Sequence, residues 1–151
     1  MKKERAVLTT VKEWLKNQNY QAQLVKQGDV LMLRGLLPLL KDERGLVLVE
    51  LFMTEYDQTA DLVHLFATMT PPLEGDMGPL QRAANSWNLV ALAGCYGICE
   101  ETSQLFYRHT VAVETDDAVE TVARDAFRGL CVAMDEMARR LPEAILLSDP
   151  S

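Results

Sequence analysis

The stretch GCYGIC at residues 94–99 sets Cys95 and Cys99 four residues apart between glycines, the kind of grouping that redox and zinc sites use, and Cys131 is the third thiol. On an extended strand both side chains would point to one face, separated by about 13 Å at ~3.3 Å per residue. A disulfide needs Cα atoms within about 7 Å, and one tetrahedral metal needs its ligands closer still. A bulge at Gly97 would shorten the gap. The remaining ligands would then have to come from Cys131, His64 or His109, and none of these sits in a second C-x2-C or an H-x3-H pair. Small apolar side chains packing under a helix account for the cysteines more simply. No metal and no cofactor is expected.

The histidines offer little more. His64 lies between Leu62 and Phe66 on one strand face, and His109 between Tyr107 and Val111, positions that suit hydrogen-bonded residues at the core edge better than a catalytic pair. The nucleophile-elbow, P-loop, dinucleotide and zinc-protease patterns are absent. The acidic pairs Glu100/Glu101, Asp116/Asp117 and Asp135/Glu136 fall at a turn, a helix start and a helix surface, where solvation explains them. The chain therefore reads as a non-enzyme with no catalytic residues. Binding is the alternative. Asn85 and Asn88 flank Trp87 in NSWN, and Leu51 and Met53 lie in the apolar run LVLVELFM at 46–53; these five are the candidate partner-binding residues. For the asparagines, satisfying backbone groups near a helix end competes with partner recognition.

The elements that would hold these residues follow from periodicity. Val7, Leu8, Val11, Trp14 and Leu15 form one stripe of a first helix over 4–18. YQAQLV and VLMLRGLL read as two strands joined by a turn at Gly28 and Asp29, with Pro38 as the stop. The run at 46–53 is apolar at almost every position, which suggests a strand covered on both faces. DLVHLFATM gives a fourth strand. The Pro- and Gly-rich stretch 70–79 is a loop leading into a helix with Pro79 at its first position and Gly94 at its cap. CYGICEE and QLFYRHTVAVE make a hairpin. A long last helix is opened by an Asp117/Glu120 capping box and closed by Pro142, leaving residues 142–151 as a tail. The expected fold class is α+β, an antiparallel sheet flanked by helices in the order α-β-β-β-β-α-β-β-α, with a single domain over 1–151 and its core at about 4–141.

Composition limits the partners. The 151 residues carry a formal net charge of −7, against a nucleic-acid surface, which needs clustered cations. Residues 1–34 hold 7 basic and 3 acidic side chains (+4), and residues 35–151 hold 8 and 19 (−11), so a basic first helix caps an acidic body. The apolar runs are too short for a membrane span of about 18 residues or more, and the N-terminus lacks a signal-peptide core, so a cytoplasmic protein with reduced thiols is expected.

The segments NSWN and GCYGICEETSQLFYRH, followed by TVAVE and a long acidic-capped helix, resemble the YbjN family, named for bacterial sensory transduction regulation. VKEWLKNQNYQAQLVKQGDVLMLRG at the N-terminus is similar too, with its Trp-Leu helix, Asn-Tyr exit and Gly-Asp turn. The resemblance implies a fold shared with class I type III secretion chaperones, used to hold proteins and not for catalysis. It offers no catalytic positions to carry over. The expectation is a protein-binding regulatory module; the alternative is a secretion-type chaperone that wraps an unfolded effector segment, and a concealed metal or thiol site around Cys95 and Cys99 ranks third. A homodimer is expected from the apolar strand at 46–53 and from a last helix with more apolar positions than one sheet face needs.

Overall fold

The computed structural model describes residues 3–148 apart from 42, 71 and 92, and leaves out the side chain of residue 43. Its elements are α1 (Glu4–Asn17), β1 (Gln23–Gln27), β2 (Val30–Pro38), β3 (Leu46–Glu55), β4 (Ala60–Met69), α2 (Gly78–Asn88), β5 (Gly94–Cys99), β6 (Gln104–Glu114) and α3 (Val119–Ser148), with a single 3-10 turn at Glu43–Gly45 before β3. The strands form one antiparallel sheet in the order β1-β2-β3-β4-β6-β5. This is the α+β order read from the sequence.

Local chemistry explains the joints. The α1 helix ends in a Schellman-type turn: the amide of Tyr20 donates to the carbonyl of Leu15 (2.9 Å) and that of Asn19 to Lys16 (3.0 Å), with Asn19 at φ +64°. Tyr20 is thereby spent on the helix end, so β1 starts at Gln23 and not at the expected Tyr20. Gly28 opens the two-residue β1–β2 loop at φ +63°, a conformation glycine takes without a Cβ penalty. Lys3 reaches across to the α3 start, its Nζ donating to the carbonyls of Thr115 (2.5 Å) and Asp117 (2.8 Å).

Three expectations need correction. Gly94 does not cap α2, which ends at Asn88; it begins β5, where an added Cβ would lie 2.6 Å from the Tyr107 hydroxyl. Asp117 is not the cap of α3, because the first helical residue is Val119 and the Asp117 carbonyl receives Lys3. Pro142 does not end α3, which continues through it to Ser148. An interior proline loses one helix hydrogen bond and crowds the carbonyl four residues back, at a cost of about 3 kcal/mol. Buried Leu141, Ala144 and Ile145 on the same helix offset that cost, so the segment is part of the core and no tail up to Ser148; residues 149–151 lie outside the described residues.

One hydrophobic cluster runs through the molecule, built from Val7, Leu8 and Val11 of α1, Leu130, Met137 and Leu141 of α3, and alternate residues of the sheet. Among the described residues no helix is long and apolar enough to cross a membrane.

Candidate protein-docking face

Strand alternation divides the sheet into two unlike faces. The residues at odd positions of β3 and β4, from Val47 to Met53 and from Asp61 to Met69, are buried, while the even ones between them are only half-buried. The helices pack on the first face: α1 lies against β1–β3, α3 against β3, β4 and β6, and α2 against β5. The second face has no helix over it among the described residues.

An antiparallel sheet with a wet face ordinarily carries polar side chains there. This one carries Leu48 and Phe52 on β3, Leu62 and Phe66 on β4, Phe106 on β6 and Leu36 on β2, the last 57% exposed. The rings form a slab. Phe52 stacks on His64 with centroids 4.8 Å apart and lies nearly parallel to Phe66 at 6.0 Å. His64 is held in place by the Thr54 hydroxyl at 2.7 Å from its Nε2. Burial, and then the nearby Arg108 cation, push the imidazole below its ordinary range, so the ring favours its neutral form.

The charges at the centre of this face sit in one row. Arg34 donates through Nε (3.1 Å) and Nη2 (2.8 Å) to Oε2 of Glu50 on the neighbouring strand, and Nη2 also reaches Oε1 of Gln27 (2.9 Å). Register continues that row through Phe66 to Arg108 and Cys95. The result is an apolar slab crossed by a line of alternating charge, which is how protein interfaces combine adhesion with orientation.

The residues singled out in the sequence go elsewhere. Leu51 and Met53 are buried, 1% and 4% exposed, on the helix-covered face, so neither meets a partner. Trp87 is also interior: its indole N–H donates to Glu143 Oε2 (3.2 Å), the Arg140 guanidinium lies 5.6 Å from its ring, and it meets Tyr96 edge-on. Asn88 has a structural task, its Nδ2 donating to the Tyr96 carbonyl (2.9 Å) and its Oδ1 accepting the Tyr96 amide (2.6 Å). Since β5 is an edge strand, Asn88 occupies backbone groups that a foreign strand would otherwise pair with. Asn85 stands exposed on α2, away from the slab.

The sequence reading missed Phe52, Phe66 and Phe106. In a strand apolar at all but one position, such as 46–53, Glu50 is the single residue whose parity marks the face turned away from the helices. Another usable signal existed in β4, where both parities carry bulky apolar residues (Leu62, Val63, Leu65, Phe66), more than one covered face requires.

The thiols and imidazoles remain apart. Pairing of β5 with β6 runs without a skip from Gly94↔His109 to Cys99↔Gln104, so Gly97 makes no bulge to bring Cys95 and Cys99 together. Hydrogen bonds from Thr102 lower the Cys99 thiol from its usual range, and burial raises that of Cys131. His64 is on the open face and His109 on the covered one, paired across strands with Leu65. Among the described residues no three His, Cys, Asp or Glu side chains are grouped to hold a metal ion. The most ordered polar cluster is interior: the Tyr96 hydroxyl donates between Oε2 (2.5 Å) and the carbonyl (2.8 Å) of the buried Glu136, whose Oε1 receives Arg139 at 3.4 Å. Burial, with the Glu136 carboxylate, raises both Tyr96 and Tyr107, the latter to about 12.

The sequence matches no family model and no curated protein. The fold is similar to the crystal structure of YbjN, a candidate transcription regulator from E. coli, with a TM-score of 0.53 over 91% of this chain and 92% of that one at 12% identity. At that identity the likeness is one of fold, and the fold of this chain is YbjN-like.

Proposed function

We propose that the chain is a non-enzymatic regulatory module that works by binding protein, and that its open sheet face is the surface it uses. The observation that carries this reading is the uncovered slab of Leu48, Phe52, Phe66 and Phe106 on a face where a wet sheet would be polar. The likeness to a candidate transcription regulator adds a regulatory setting, and the acidic surface makes protein a better partner than nucleic acid. The two imidazoles lie on opposite faces of the sheet, and Cys95 and Cys99 are set apart along an unbulged β5, which supports a role without catalysis.

A second reading, a chaperone that holds an extended segment of another protein, is favoured by one feature. A cleft of about 890 Å³ opens where the chain leaves α1 for β1, walled by Lys12, Glu13, Lys16, Tyr20, Arg34 and Leu36. Such a cleft suits a short acidic and apolar segment.

Photo-crosslinking in the native cell separates these readings. A crosslinking side chain at Phe66 is expected to give discrete protein adducts that the same group at the exposed Arg124 of α3 does not. Adducts from Tyr20 alone would shift the assignment to the cleft, and absence of adducts from Phe66 would remove the docking-face reading.

A further inference from the structure

The charge row on the open face selects its occupant. Arg34, Glu50, Phe66, Arg108 and Cys95 stand side by side on β2, β3, β4, β6 and β5. Glu50 is therefore one strand to one side of Phe66, and Arg108 is one strand to the other. A two-fold axis lying along β4 in the plane of contact carries Glu50 of one copy onto Arg108 of the second, and does so twice. Axes along β3 or β6, or across the strands, fail. An axis along β3 opposes Glu50 to itself, one along β6 opposes Arg108 to itself, and one running across the strands opposes both, and like charges directly opposite destabilise.

From this pattern we infer that the open face is covered by a second copy of the chain, packed sheet to sheet about a two-fold axis along β4. The inference rests on the docking-face reading and names its partner.

The adjoining row through Leu48 and Phe106 agrees with the same axis, while the row on the other side sets Phe52 on Thr110 and His64 on His64. The axis sets Phe66 on Phe66 at the centre and Leu48 of one copy on Phe106 of the other. It also brings Leu36, the most exposed apolar side chain of the face, over Gly97. There the tip of the Phe106 ring reaches to 2.6 Å from where a Cβ would be, so Leu36 meets an apolar surface with no side chain on Gly97. Sheets packed face to face hold their strands within about 30° of each other, and an axis along β4 bisects that angle, so the central rows keep their register. An isologous contact of this kind is closed and gives a dimer, not a filament.

Size and net charge fit as well. Five strands at about 4.8 Å and four outward residues per long strand make a face of about 24 by 27 Å. Its projected area of roughly 650 Å², increased by side-chain relief, approaches the ~800 Å² per partner of a standard interface. Two chains of net charge −7 repel each other over most of their surfaces. The open face, with Arg34 and Arg108 against Glu50, is a place where they can approach.

Sedimentation equilibrium across the micromolar range tests the inference on the wild type, Arg108→Glu, Glu50→Arg and an equimolar mixture of the two variants. The wild type is expected to be dimeric, and each variant alone to dimerise at least about tenfold more weakly, because each opposes like charges. In the mixture both contacts again pair Glu with Arg, so a mixed dimer should return. Glu50→Arg also removes the intrachain partner of Arg34. Phe66→Glu, on the axis itself, should abolish the dimer without touching that pair, with circular dichroism confirming the fold. A monomeric wild type, or a dimer indifferent to all three substitutions, overturns the inference. If a Phe66 crosslinker then still captures a different protein, the docking-face reading stands without self-association; if it captures nothing, both fall.

Discussion

Both faces of this one sheet carry large apolar side chains, yet among the described residues only one of them is covered by helices. Beneath the helices, Val63, Leu65 and Ala67 of β4 are fully buried, and β4 packs against α3. On the other side of the same strand, Leu62, His64 and Phe66 are half-buried among themselves and touch no helix. The covered face has no spare surface and therefore holds the fold. The open face keeps its apolar area unspent, and that area is what a partner can remove from water.

The largest test of this contrast is a pair of truncations on adjacent residues. Leu65→Ala should lower unfolding stability by about 2–5 kcal/mol, because a methyl-lined cavity opens under Gly129 of α3. Phe66→Ala in the monomeric state should cost far less, about 1 kcal/mol or below, since its ring is only partly withdrawn from water. Urea unfolding of both variants checks the difference, and equal losses would mean that the faces are not distinct.

Next in size is the polar cluster beneath the covered face. Tyr96→Phe removes the donor that serves the buried Glu136 carboxylate, and a loss of about 1–3 kcal/mol is expected by the same measurement. The Asn88 clasp should matter less to stability, about 1 kcal/mol for Asn88→Ala, because water can reach the freed Tyr96 groups. Its visible effect should be on the edge: light scattering should report concentration-dependent association beyond a dimer, as β5 becomes available for pairing.

The smallest effect is a pH dependence from the open face. His64 is held below its ordinary value by burial and by Arg108, so the unfolded chain binds this proton more readily than the folded one. Its contribution to stability is therefore present above about pH 6.5, the unfolded value, and is lost as pH falls from there through the lowered folded value. Denaturation at neutral and mildly acidic pH should show this slope, and His64→Gln should reduce it. An unchanged slope in that variant would place the titration elsewhere.

How much of this was legible beforehand differs between fold and site. Helical spacing of Val7, Leu8, Val11 and Leu15, the glycine turn at 28 and the proline-rich loop before α2 yielded the element order correctly, because each depends on neighbours a few residues away. The candidate site was not legible in the same way. Leu51, Met53 and Trp87 were attractive for being large and apolar, and those properties are also what made them core. Phe52 and Phe66 differ from them only in parity, which Glu50 alone marks on β3 in a local pattern with apolar residues at both parities. Pro142 misled for a related reason. Its local cost is real, but the burial of Leu141, Ala144 and Ile145 against distant elements outweighs it.

By itself the sequence determined the periodic elements, the YbjN-like order of helices and strands, and the acidic surface with its basic first helix. These are set by short-range backbone preference and by composition. Only the tertiary structure decided which side of β3 and β4 the helices would cover, that Asn88 would close the β5 edge, and that Glu50, Phe66 and Arg108 would fall in one row. Those facts depend on register between strands distant in the chain, where a shift of one residue exchanges the two faces.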